Sequence, residues 1–185
     1  APVEASRGVQ LWGVLGVAAY LSYGVKKVIP IVVSGIGLID AGWQWAFLAV
    51  TLAFFGYVEG YQGFTKGFAP RVVSRAWALS QSRAGHQRAL SHAIFAPAFC
   101  IGYFHGTRKR VVTSWCVTTI IFFVVVAVKQ LPNPYRAILD AGVIVGLAWG
   151  VASILVIYAR SLMAGRPPAF DPSLPKDSPY ISAAV

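Results

Sequence analysis

Four uncharged runs, residues 8–25, 41–58, 111–128 and 141–159, dominate a chain of only 185 residues. Each holds 18 or 19 residues, close to the ~20 mostly apolar residues that a helix needs to cross bilayer hydrocarbon. No water is available there, so a spanning segment must bond its own backbone groups, and an apolar run of this length does so as a helix. The chain therefore reads as an all-α integral membrane protein. A fifth uncharged run, 89–107, is long enough to span but carries Ser91, His92, Pro97, Gly102 and His105. Its reading decides the topology.

The net charge of +10 would suit a nucleic-acid binder. Here, however, the basic residues stand at the ends of the apolar runs, where they meet anionic headgroups and set orientation. A nucleic-acid partner is excluded on that ground, and membrane lipids take its place. At 19.9 kDa the chain has room for one membrane domain. Both cysteines, Cys100 and Cys116, lie in apolar segments, so neither a disulfide framework nor a zinc site is expected. The chain begins at Ala1, which leads us to expect a processed form that has lost an organelle-targeting peptide.

Spanning helices are expected over 8–25, 41–62, 111–129 and 137–162. Lys26 and Lys27 close the first, and residues 28–39, with Pro30, Gly35 and Gly37, are too short to span again. They lie at the interface or extend the first helix obliquely. Trp43 and Trp45 open the second span at headgroup level. Residues 67–84 combine a weak apolar stripe with Arg71, Arg75 and Arg83, the pattern of a basic amphipathic helix on the membrane surface. The last 22 residues, 164–185, hold five prolines and read as an extended, solvent-side tail.

Counting basic residues tests the fifth run. If 89–107 crosses, the 16 lysines and arginines divide eight to eight. If it is re-entrant, four remain on one side (Lys26, Lys27, Lys129 and Arg136) and twelve on the other. Only the second split shows the bias of real membrane proteins, whose cytoplasmic loops are rich in Lys and Arg. Four crossings are expected, with both termini and the long basic loop on one side.

Glu59 stands at the end of the second span, and an acid at membrane depth is a functional candidate by default. The structural alternative is an interfacial salt bridge to Arg71 or Arg75, and this is the expectation. Asp140 opens the fourth helix, where a carboxylate complements the positive helix end, and Arg136 precedes it by one turn as a pairing partner. His92 and His105 are candidate contacts for a peripheral pigment, since imidazole ligates magnesium and iron macrocycles. None of the four spans contains a histidine. An intrinsic haem or other cofactor is therefore not expected, which leaves only peripheral chlorophyll, carotenoid or lipid. Gly142, Gly146 and Gly150 form a smooth stripe, and Gly56 and Gly60 repeat the spacing. Such stripes let helices approach closely; the partner helix is not legible.

The stretches Glu59-Gly-Tyr-Gln-Gly-Phe64, Phe95-Ala-Pro-Ala-Phe-Cys-Ile-Gly-Tyr-Phe-His-Gly-Thr-Arg-Lys-Arg110 and Pro134-Tyr-Arg-Ala-Ile-Leu-Asp-Ala-Gly142 resemble a family of small integral membrane proteins of bacteria and photosynthetic organisms. The likeness covers most of 43–149. It implies a membrane fold and no activity. No matched acid, base and metal set points to an enzyme. The expected role is an accessory structural subunit of a large energy-converting assembly, packing against other membrane subunits. A photosystem or antenna supercomplex of the thylakoid is favoured over a respiratory complex of the mitochondrial inner membrane. The alternative is a small transporter or channel, for which the third and fourth helices offer few polar residues beyond Thr113, Thr118, Thr119 and Ser153.

Overall fold

A computed structural model describes residues 3–80 and 94–175, and the regular structure among them is entirely helical. The elements are α1 (Val3–Ile36), α2 (Gly42–Phe54), a π-helical stretch (Phe55–Phe68), α3 (Ala69–Ser80), α4 (Ala96–Ile101), α5 (Arg108–Val128) and α6 (Tyr135–Ala164). Three helices are long and apolar enough to cross a membrane: α1 over Arg7–Ile36, α5 and α6.

Two sequence boundaries move. The first helix does not stop at Lys26 and Lys27; α1 continues through Pro30 to Ile36. Proline removes one backbone donor, and the helix absorbs that loss at an exposed position. Of the two expectations for 28–39, extension of the first helix is the one realised. The second change concerns 67–84. Its described part, α3, follows the π stretch without a break, because Ala69 keeps helical dihedrals and its N–H bonds to the Phe64 carbonyl five residues back.

Nor does α3 lie bare on a surface. Val72, Val73 and Ala76 join Val14 and Val17 of α1, Ala96, Phe99 and Cys100 of α4, and Ile154 of α6 in the main core. A smaller cluster of Leu48, Ile138 and Ala141 closes the other end. The buried side chains Gln10, Val14, Val17 and Ala18 of α1 recur at helical spacing, and Val14 and Val17 enter this core.

Close approaches fix which ends lie together. Gly16 admits the Pro97 ring, and Gly13 faces Cys100 Sγ and Ala96, so α4 packs on the early turns of α1. Gly35, near the end of α1, lies against Ala137 and Asn133. The turn that opens α6 is therefore beside the last turns of α1, and the two helices run antiparallel. Contacts of Thr51 with Gly142 and of Phe64 with Gly150 make the 42–68 helix parallel to α6.

The tail also differs from expectation in its described part. Residues 166–175 dock on the chain's own body: Leu174 enters the main core and the Thr107 N–H donates to the Ser173 carbonyl at 3.0 Å. A proline-rich segment gives up little backbone freedom when it docks, and these contacts hold it.

Candidate functional site: a carboxylate on a glycine seam and an arginine knot

The seam between the 42–68 helix and α6 is built from residues that contribute space. A Cβ at Gly142 would stand 2.6 Å from the Phe55 ring and 2.8 Å from Thr51. At Gly150 it would stand 2.7 Å from the Phe64 ring, and at Gly146 2.6 Å from a Glu59 carboxylate oxygen. The π stretch answers with its own gap, since Gly60 lies under the Trp149 ring with a hypothetical Cβ at 2.8 Å. Gly56 makes only ordinary contact, at 3.6 Å from Val145. The stripe's partner is thus a helix of the same chain.

Five-residue hydrogen bonding explains which side chains meet the stripe. In an α-helix, residues five apart point in different directions. In a π-helix they stack one turn apart, which aligns Phe55, Gly60 and Thr65 on one line and Glu59 and Phe64 on the next. All five face α6. Glycines at 56, 60, 63 and 67 weaken the α preference of this stretch.

Polar contacts close the seam. The Thr65 and Ser153 hydroxyls lie 2.7 Å apart, Trp149 Nε1 donates to Thr65 Oγ1 at 3.0 Å, and Thr65 also donates to the Gly60 carbonyl at 3.3 Å. Sequence periodicity missed Thr65, which the π geometry turns toward α6, and with it the Trp149 indole that donates to Thr65 from α6. Gln44 and Thr51 are buried on the same face nearer the start of the helix.

The expected salt bridge of Glu59 to Arg71 or Arg75 is not formed. The one ion pair among the described residues is Arg136 to Asp140, with Nε to Oδ2 at 3.6 Å across one turn of α6. Glu59 instead lies against Gly146, inside the apolar stretch of α6. Chemically, that position can hold a proton or a small cation between two helices.

Arg75 is fully buried inside the chain, where the sequence suggested an exposed place on a surface helix. Its Nε donates to the Phe99 carbonyl at 2.7 Å, Nη1 to Pro172 at 3.0 Å, and Nη2 to Phe104 at 2.9 Å and His105 at 3.4 Å. The guanidinium lies 4.4 Å from the Phe99 ring centroid. One side chain thereby ties α3 to the end of α4, the following loop and the tail. Arg110 completes the knot, donating to the Ile101 carbonyl at 2.9 Å. Orphan carbonyls at a helix C-terminus favour cations. Gly102, with φ of 100°, ends α4 and leaves room for the Arg110 side chain, whose Nε would be 2.9 Å from a Cβ.

Arg71 stands one turn before Arg75, its guanidinium 5.3 Å from the Phe170 ring centroid. Burial lowers its pKa and Asp171 works the other way. Burial also pushes the Cys100 thiol up to about 12 against the opposing pull of Arg75, so this cysteine is a packing residue against Gly13. Of the candidate pigment contacts, His105 is exposed with φ of 51° and its ring packs near Phe104, while His92 falls outside the described residues. Comparison with protein-family models, with curated proteins and with solved structures finds no match for this chain.

Proposed function

We propose that the chain is a structural subunit of a larger membrane assembly, with four crossings and its described ends on one side. The observation that carries this reading is the isolation of α5. Every residue from Thr119 to Ala127 is exposed. Nine consecutive residues go round a helix about two and a half times, so no face of this length packs on the chain's own body among the described residues. The first turns are held by Arg110, by Trp115 on the Tyr103 carbonyl and by Thr118 on the Tyr103 hydroxyl. In lipid, helices associate through packing contacts and not through a hydrophobic drive. A helix with none from Thr119 to Ala127 takes the position of that part from a neighbour.

The shared ends support four crossings. The start of α5, the early turns of α1, α3 and the end of α6 meet around Arg75 and Ser173. The turn between α5 and α6 sits at the other end, beside Gly35. This arrangement matches the twelve-to-four distribution of basic residues. Cysteines introduced at Gly8 and Lys109 should label from one side of the membrane and one at Asn133 from the other. Labelling of Lys109 and Asn133 positions from the same side contradicts the topology. A photosystem or antenna assembly is the first to test, on the family resemblance alone.

The seam favours a second reading, a small proton or ion carrier. Glu59 is the observation behind it, with Gln44, Thr51, Thr65 and Ser153 along the same interface. Loss of flux in reconstituted Glu59→Gln protein would favour it; flux unchanged by the substitution would remove it.

A further inference from the structure

We propose that Arg71 and Arg110 form a binding site for the phosphodiester headgroup of an anionic phospholipid, at the membrane end where α5 begins. Three guanidiniums converge there. Arg71 and Arg75 lie one turn apart on the same face of α3. Arg75 Nη1 and Arg110 Cγ flank Gly106, at 3.4 and 3.5 Å from its Cβ position. Arg71 Nε and Arg110 Nε are both buried without a hydrogen-bond partner among the described residues. The Arg75 fork is engaged by carbonyls and Arg110 gives Nη2 to the Ile101 carbonyl, and neither Arg71 nor Arg110 takes part in an ion pair among the described residues.

Local charge is one-sided. Arg108 and Lys109 are exposed on the same turn of α5, and among the described residues the acid that acts on Arg71 is Asp171. That acid already accepts the Ser173 N–H at 2.7 Å. Holding half-buried like charges together is unfavourable unless an anion joins them. Arginine forks match phosphate oxygens in geometry as well as charge. The place suits a lipid, since the cluster lies at the end where the twelve basic residues gather, and basic pockets at helix ends on that side bind anionic headgroups. The acyl chains then enter the bilayer beside the exposed Val112 and Trp115. The inference needs a bilayer and no partner subunit, so its failure leaves the accessory-subunit reading standing.

The full chain in a neutral detergent should show a higher unfolding midpoint with added phosphatidylglycerol than with phosphatidylcholine. Inorganic phosphate at equal concentration should give no comparable shift. Arg71→Gln and Arg110→Gln should each weaken apparent lipid affinity by about fivefold, the effect of ~1 kcal/mol per cation, while Lys26→Gln with Lys27→Gln should leave it intact. Equal shifts from both lipids, or an undiminished response in the double arginine variant, would overturn the site. A response to phosphate alone would mark a free-anion site and overturn it as well. Should the double variant fail to fold, native mass spectrometry of the unaltered chain decides. Retention of phosphatidylglycerol over phosphatidylcholine, weakened by added salt, supports the site, and no preference overturns it.

Discussion

The Glu59 carboxylate rests on bare Gly146 backbone, one oxygen 2.6 Å from where a Cβ would stand. A flexible side-chain end can retreat from an added methyl group; an aromatic ring wedged between helices cannot. The three glycines of one stripe are therefore unequal. Gly142→Ala and Gly150→Ala, which meet the Phe55 and Phe64 rings, should each destabilise by about 1–3 kcal/mol through overpacking. Gly146→Ala should cost less than either. Thermal unfolding of the three variants in one detergent checks the order, and Gly146→Ala as the worst of them would contradict the packing described.

Glu59→Gln keeps the shape that fills the seam and removes the charge. With no salt bridge to lose among the described residues, the substitution should leave stability within about 1 kcal/mol of the parent, the scale of one net hydrogen bond. Glu59→Lys puts a longer cation against Gly146 and should fail to assemble. A loss from Glu59→Gln as large as that from Glu59→Lys would mean that the carboxylate charge holds the seam.

Arg75→Met should destabilise by about 3–5 kcal/mol, the range for breaking a buried, hydrogen-bonded charge network. Arg75→Lys should rescue little, because one ammonium cannot reach the Phe99, Phe104 and Pro172 carbonyls that the planar fork spans. Full stability in the lysine variant would contradict the knot.

Truncation after Gly165 should lower the unfolding midpoint of the isolated chain, since it removes the Pro172 acceptor of Arg75 and the buried Leu174. The sequence reads the proline-rich tail as an extended, solvent-side segment, separate from the helical body. Unchanged stability on truncation would restore that view.

Length and apolarity made the helices legible, and an i,i+4 spacing made Arg136 and Asp140 legible as a pair. The glycine stripe was readable too, although its partner was not. What stayed hidden depends on backbone geometry that composition does not encode. The π stretch shifts the repeat from four residues to five, so Thr65 carries no periodic signal, and its partner Trp149 on α6 could not be inferred without it. Arg75 looked like every other arginine in its loop. Its burial depends on four carbonyls from three distant segments, which no local pattern announces.

Blue-native separation of gently solubilised native membranes tests the structural-subunit account most directly. The account predicts that the chain migrates within a complex several times its own 19.9 kDa, and that paired Phe122→Ala and Phe123→Ala substitutions on exposed α5 release it as a folded monomer. Migration of the unaltered chain alone, at its own mass, would contradict it.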